Sequence, residues 1–124
     1  MSLCLVGSEM CIRDRLISHG ESKAQPLTLY KAKVEKNSKY LRIKPINKFG
    51  APARGATVTL MSNQRKHSKT IDAGSGYLCQ MEPVAHYGIR KNEKDFKVEV
   101  KWTNGKKVFI DKIKLNQTIT IKQK

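Results

Sequence analysis

The sequence predicts an all-β fold, a small antiparallel β-sandwich or barrel of about eight short strands. Three observations carry this. Short stretches alternate apolar and polar residues with a period of two, most cleanly in Phe96-Lys-Val-Glu-Val-Lys-Trp102, which puts Phe96, Val98, Val100 and Trp102 on one strand face. Turn chemistry recurs between these stretches, as Gly and Pro in Phe49-Gly-Ala-Pro-Ala-Arg-Gly55 and as Asn104-Gly105. No segment holds the 3.6-residue period of an amphipathic helix over three turns.

In chain order, Leu27-Thr-Leu-Tyr30 through Val34 reads as a strand after Pro26. Tyr40-Leu-Arg-Ile-Lys44 alternates, with Leu41 and Ile43 on one face, and Pro45 predicts its end or a sheet edge because proline has no ladder donor. Ala56, Val58 and Leu60 face inward in the next strand. Ser62–Lys66 turns the chain into a short strand near Lys69-Thr-Ile-Asp72. The run Asp72–Gly88 is loop-like, since Gly74, Gly76 and Gly88 permit backbone conformations closed to other residues. Ala85-His-Tyr-Gly-Ile89 ends that run as a strand, and Lys91-Asn-Glu-Lys-Asp95 is a polar turn. After the Phe96–Trp102 strand, Asn104-Gly105 signals a hairpin with Lys107-Val-Phe-Ile-Asp111 returning. Gln117-Thr-Ile-Thr-Ile121 closes the set with Ile119 and Ile121 inward.

A chain of 124 residues suits one modest core that needs no obligatory disulfide. The formal charge of +15 points to a polyanion partner, namely nucleic acid, a heparin-like glycan or an acidic membrane surface. Of the 25 basic residues only six are arginine, the residue favoured for bidentate phosphate recognition. The lysines also spread along the chain and alternate with apolar residues, as in Lys97-Val-Glu-Val-Lys101, which is the pattern of a solvated strand face. Nucleic acid is therefore disfavoured as a partner. No run of about 18 apolar residues is present, so no helical membrane span is expected.

The first fifteen residues do not read as protein sequence. The apolar stretch Leu3–Gly7 is too short for a signal peptide and lacks a basic leader. Leu5-Val-Gly-Ser-Glu-Met-Cys-Ile-Arg-Asp14 resembles the translation of a transposase adapter used in sequencing libraries. Residues 1–15 are accordingly expected to be non-native and disordered. Setting them aside removes Cys4 and Cys11 and leaves Cys79 as the one cysteine of interest.

Catalytic and metal chemistry find little support. His19, His67 and His86 have no neighbouring ligand set at zinc-like spacing, and His67 is expected in an exposed basic turn. Cys79 and His86 could suggest a nucleophile and base, but no orienting Asn or Asp follows at a recognisable spacing, so a buried thiol is the default. Gly74-Ser75-Gly76 is neither the Gly-x-Ser-x-Gly of a hydrolase elbow nor a phosphate loop. A structural role fits better: the glycines permit a tight turn, Tyr77 anchors its ring in the core, and Arg54 and Asp72 pair across the loop.

At this loop a family resemblance becomes specific. Gly55-Ala-Thr-Val-Thr59, Ala73-Gly-Ser-Gly-Tyr-Leu-Cys-Gln80, His86-Tyr-Gly-Ile89 and Val98-Glu-Val-Lys-Trp102 with Asn104-Gly105 are similar to the ASPIC/UnbV domain. The version here resembles that of the cartilage acidic protein family, also through Phe49–Gly55 and Tyr77–His86. Leu16–Leu27 resembles the end of the FG-GAP β-propeller that precedes the domain in that family. The resemblance covers residues 16–121 and implies residues 16–30 as a remnant of the last propeller blade and linker, and 31–124 as the ASPIC/UnbV domain. The family's Trp-Pro is Trp102-Thr103 here, and this chain is basic although the family is named for acidity.

The resemblance implies a secreted, non-catalytic extracellular protein. Its function would be interaction or adhesion, as a C-terminal accessory module of an FG-GAP propeller protein. The alternative is a basic β-domain that binds polyanions, either glycosaminoglycan or nucleic acid. Implied partners are its own upstream propeller and an extracellular protein or glycan. No cofactor or metal is expected in this fragment, calcium belonging to the missing propeller or EGF-like parts. The family-motif residues Arg54, Asp72, Gly74, Gly76, Tyr77, Gln80, Glu82, His86 and Gly88 mark the expected exposed feature, with no role assigned to each.

Overall fold

A computed structural model describes residues 15–18, 23–31, 37–72, 74 and 82–124. Nine strands lie among them: β1 (Arg15–Ser18), β2 (Leu27–Tyr30), β3 (Lys39–Ile46), β4 (Thr57–Met61), β5 (Lys66–Thr70), β6 (Ala85–Ile89), β7 (Lys97–Lys101), β8 (Lys107–Ile110) and β9 (Gln117–Lys122). The described residues include no helix long and apolar enough to cross a membrane. Strands β6-β3-β9 form one sheet, β5-β4-β7-β8 a second, and β1-β2 a separate hairpin. The fold is all-β and sandwich-like.

Period-two alternation builds the core. The inward residues of β3, β6 and β9 (Leu41, Ile43, Ala85, Tyr87, Ile121) meet those of β4 and β7 (Val58, Leu60, Val98, Val100), with Trp102 beside them. Each such side chain contributes roughly 1.5–3 kcal/mol by leaving water. Tyr87 adds a polar tie between the sheets, its hydroxyl donating to the Val58 carbonyl at 2.7 Å.

Four features differ from the sequence reading. Strand β3 does not stop at Pro45, which is buried and sits opposite Ile121. Pairing with β6 ends at Ile43, and the Pro45 carbonyl on that side accepts from the Ala53 N–H at 3.0 Å. A residue's N–H and C=O leave a strand on the same side, so the missing proline donor faces the loop and costs β9 no ladder bond. Second, β9 pairs with β3 in parallel, whereas every other strand pair is antiparallel. Asn116, at a φ of 59°, docks the start of β9: its N–H donates to the Tyr40 carbonyl at 2.7 Å, and its Oδ1 accepts from the Tyr40 N–H at 3.0 Å.

Third, β5 lies at Lys66–Thr70 rather than near Lys69–Asp72, because register with β4 sets Leu60 opposite His67 and Val58 opposite Lys69. His67 is therefore a half-buried strand residue rather than part of an exposed turn, and its ring meets the Tyr87 ring edge-on at 5.7 Å. Finally, β1 lies upstream of Leu27, where no strand was expected, and pairs with β2. Strand β2 ends at Tyr30, before Lys31, and the rest of its expected continuation to Val34 lies outside the described residues, as do residues 1–14.

The Asn104-Gly105 signal gives a hairpin with a three-residue loop. Gly105 alone carries a positive φ there (85°); its N–H donates to the Trp102 carbonyl at 2.9 Å, and the Trp102 N–H donates to Lys106 at 2.9 Å. This is a type I turn closed by a glycine bulge.

Candidate functional site

Strand β6 carries two of the family-motif residues, His86 and Gly88. It is the outer strand of its sheet, so alternate backbone carbonyls point away from β3 without a ladder partner. Two cations supply one. Lys69 Nζ donates to the His86 carbonyl at 2.5 Å and lies 5.2 Å from the centre of the Tyr87 ring. The Arg65 guanidinium donates to the Gly88 carbonyl. These side chains come from β5 and the turn before it, so they close the side of the sandwich where the two sheets' outer strands meet.

Arg65 is itself held by Glu93 from the turn after β6. Arg65 Nε lies 2.5 Å from Glu93 Oε1 and Nη2 lies 3.3 Å from Oε2, while Oε2 also accepts the Arg90 N–H at 2.9 Å. The Glu93 side chain is fully buried and that of Arg65 nearly so. Sequence reasoning placed Glu93 in a polar turn and assigned it no role. Its burial follows from the fold, since a carboxylate beside a chain reversal satisfies the freed Arg90 donor and can be buried only if a cation is buried with it.

On the outer face of the three-stranded sheet, His86 lies opposite Arg42 and Gly88 opposite Tyr40. The His86 ring stacks on Tyr40 at 5.9 Å with a 5° interplanar angle, and Arg42 pairs with the half-exposed Glu82 carboxylate. Glu82, His86 and Gly88 thus share a face with Tyr40 and Arg42, two residues the sequence motif did not flag. The signal for them was there: Tyr40 and Arg42 are the outward positions of the alternating stretch that buries Leu41 and Ile43.

A second group forms where β4 begins and β5 ends. Arg54 Nη1 donates to the backbone carbonyl of Asp72 at 3.0 Å, and the Asp72 carboxylate accepts the Gly74 N–H at 2.8 Å. Gly55 N–H donates to the Ile71 carbonyl at 2.7 Å and Ile71 N–H to Ala56 at 2.8 Å, which extends the β4–β5 pairing to this point. Arg54 and Asp72 are therefore brought together across the loop. Gly76, Tyr77 and Gln80 lie outside the described residues, as do Ser75, Cys79 and His19.

Chemically, both groups offer stacking surfaces and charged hydrogen-bonding groups. Among the described residues no cluster of three or more His, Cys, Asp or Glu side chains converges on a point. The fold and these surfaces define a small two-sheet β-module held by core burial and side-chain ties across its edge.

Comparison with known proteins then gives the family. The family model described as ASPIC and UnbV matches residues 47–124. The chain is similar to cartilage acidic protein 1 of Homo sapiens, 50% identical over 96 residues that cover 77% of this chain and 14% of that protein. It is 51% identical over 94 residues to cartilage acidic protein 1 of Xenopus tropicalis, covering 75% of this chain and 14% of the relative. The chain belongs to the ASPIC/UnbV family. It spans about a seventh of the length of these curated relatives. The family match begins at residue 47, yet β3, which supplies Leu41 and Ile43 to the core, begins at Lys39.

Proposed function

We propose that the domain is a non-catalytic interaction and adhesion module of a secreted, extracellular protein, lying on the C-terminal side of an FG-GAP β-propeller and packing against it. One observation supports this most. Strand β2 leaves Leu27 65%, Leu29 54% and Tyr30 55% exposed, and none of its residues joins the sandwich core. An isolated two-stranded hairpin is marginal in water, and a run of exposed apolar side chains marks a surface that another body covers. The upstream propeller is the covering body in this reading.

The test uses the full-length protein. Replacing Leu27 and Leu29 together by Ser should speed limited proteolysis at the junction and lower the melting temperature of the propeller–domain unit, with the sandwich core intact. Unchanged proteolysis and melting would overturn the propeller-packing reading.

A second reading, polyanion binding, is favoured by the outer face of the four-stranded sheet. Register places Lys66 and Lys97 on either side of Met61, and Lys101 beside Lys107, all four exposed. Retention on a heparin column beyond physiological salt supports that reading, and elution at low salt removes it.

A further inference from the structure

At one end of the sandwich, the residues leading into β3 and the turn leaving β6 enclose a cleft of about 380 Å³. Among the described residues its walls are Asn37 and Lys39 on one side and Ile89, Arg90, Lys91 and Glu93 on the other, with Leu115 closing a third side; an adjoining hollow shares Asn37, Ile89, Arg90 and Lys91 and adds Ser38. The antiparallel register that sets Lys39 opposite Ile89 brings the walls together.

The charge of this cleft is one-sided. Among the described residues three cationic side chains line it, and the single carboxylate, Glu93, is buried against Arg65 and the Arg90 N–H. Arg65 thereby offsets the one negative charge of the described wall, so the described lining presents net positive charge to whatever enters. The remaining lining is of two kinds. Asn37 and Ser38 carry an amide and a hydroxyl that can both donate and accept, and Ile89 and Leu115 are half-buried apolar surface packed on the core.

We infer that this cleft is a subsite for an anionic sugar unit, a sulfated or uronate-bearing residue of a glycan chain. Each part of the lining has a counterpart on such a ligand. The sulfate or carboxylate meets Lys39, Arg90 and Lys91. Ring hydroxyls meet Asn37 and Ser38, and the C–H face of the pyranose lies on Ile89 and Leu115. The space equals that of about a dozen liquid waters, enough for one or two pyranose rings. Single-stranded nucleic acid fits less well, because its bases are held by aromatic platforms and no aromatic residue lines the cleft among the described residues. The inference rests on the polyanion reading and narrows it: long-chain attraction is spread over the lysine faces, whereas recognition of an individual sugar is assigned to this end of the fold.

The experiment is a titration of the isotope-labelled full chain with a trisulfated heparin disaccharide, followed by NMR. Saturable shifts are expected at Asn37, Ser38, Lys39, Arg90 and Lys91. Lys39→Gln and Arg90→Gln should each weaken binding about tenfold, the scale of one charge-assisted hydrogen bond, while Lys101→Gln/Lys107→Gln leaves it unchanged. A disaccharide both desulfated and carboxyl-reduced, and an oligothymidylate, should not compete. The subsite is overturned if the shifts map to β7 and β8, if no saturation is reached, or if the oligonucleotide competes equally. Loss of disaccharide binding with heparin-column retention intact removes the subsite alone, whereas loss of both removes the polyanion reading. Shift mapping on the unsubstituted chain decides the matter even where a substitution disturbs folding.

Discussion

Replacing Glu93 by Gln would leave the Arg65 guanidinium without its countercharge in a site where the Arg65 side chain is 14% exposed and that of Glu93 is not exposed. Gln can still accept the Arg90 N–H, so the substitution isolates the charge more than the turn. Breaking a buried pair by removing one partner typically costs about 3–5 kcal/mol. The residual exposure of Arg65 lets water recover part of that, which puts the expected loss near 3 kcal/mol. Against a domain stability on the order of 5–15 kcal/mol this is a large fraction. It corresponds to a fall in melting temperature of roughly 10–15 °C for a chain of this size. Urea unfolding at neutral pH is the assay, with fluorescence of Trp102, the single tryptophan, as the probe. Arg65→Met/Glu93→Gln should lie closer to the parent than Glu93→Gln alone does, because it removes the isolated buried charge while Gln still accepts the Arg90 N–H. A Glu93→Gln loss below about 0.5 kcal/mol, the size of an ordinary surface change, would refute the claim that this pair holds the edge of the sandwich.

The other predictions concern single ties. Tyr87→Phe keeps the buried ring and removes its hydrogen bond to the Val58 carbonyl, so about 1 kcal/mol should be lost in urea unfolding, against roughly 3–5 kcal/mol for Tyr87→Ala, which also opens a cavity. Gly55 has a φ of 83°, and an added Cβ would lie 2.9 Å from Thr103 Cγ2. That methyl can move aside, so Gly55→Ala should cost the left-handed backbone penalty of about 1–2 kcal/mol, read as a melting shift. Lys69→Met keeps the stem but removes the donor to the His86 carbonyl; light scattering should show self-association as the β6 edge opens, and a strictly monomeric variant would count against the capping role.

What could be read from sequence follows from how local each signal is. The Phe96–Trp102 alternation and the Ala85–Ile89 strand were legible because each residue's side is set by its immediate neighbours. The Asn-Gly hairpin was legible because a positive φ selects glycine at Gly105. Pro45 misled because the rule barring proline from central strands concerns a donor, and here that donor would face a loop after the partner strand has ended. Lys66-His-Ser-Lys-Thr70 has no apolar alternation, so its register was visible only through β4. Parallel pairing of β9 with β3 joins the two ends of the domain, and nothing within either strand encodes it. The site divides in the same way. Arg54 and Asp72 could be linked because they stand at the two open ends of one hairpin, β4–β5, whereas Glu93 and Arg65 come from different turns and meet only after both sheets have formed.

The charge of the chain gains meaning once it is sorted by place. A total of +15 read alone favours a surface that attracts any polyanion. Part of that charge works inward, with Arg65 and Lys69 closing the β5–β6 side through backbone carbonyls and Glu93. Part is locally offset: the exposed Lys97 lies 3.5 Å from the exposed Asp111, and the exposed Lys107 lies 3.6 Å from the half-buried Glu99, on the outer face of the four-stranded sheet, where such loose pairs contribute little stability but dilute the local field. The cleft of Lys39, Arg90 and Lys91 combines a concave shape with a carboxylate already neutralised from behind. Removing Arg65 should therefore act twice. It should destabilise the edge and also release the Glu93 charge into the cleft, so Arg65→Met should weaken anionic-sugar binding although Arg65 does not line the cleft. Binding at unchanged affinity in a folded Arg65→Met variant would show that the two roles are separate.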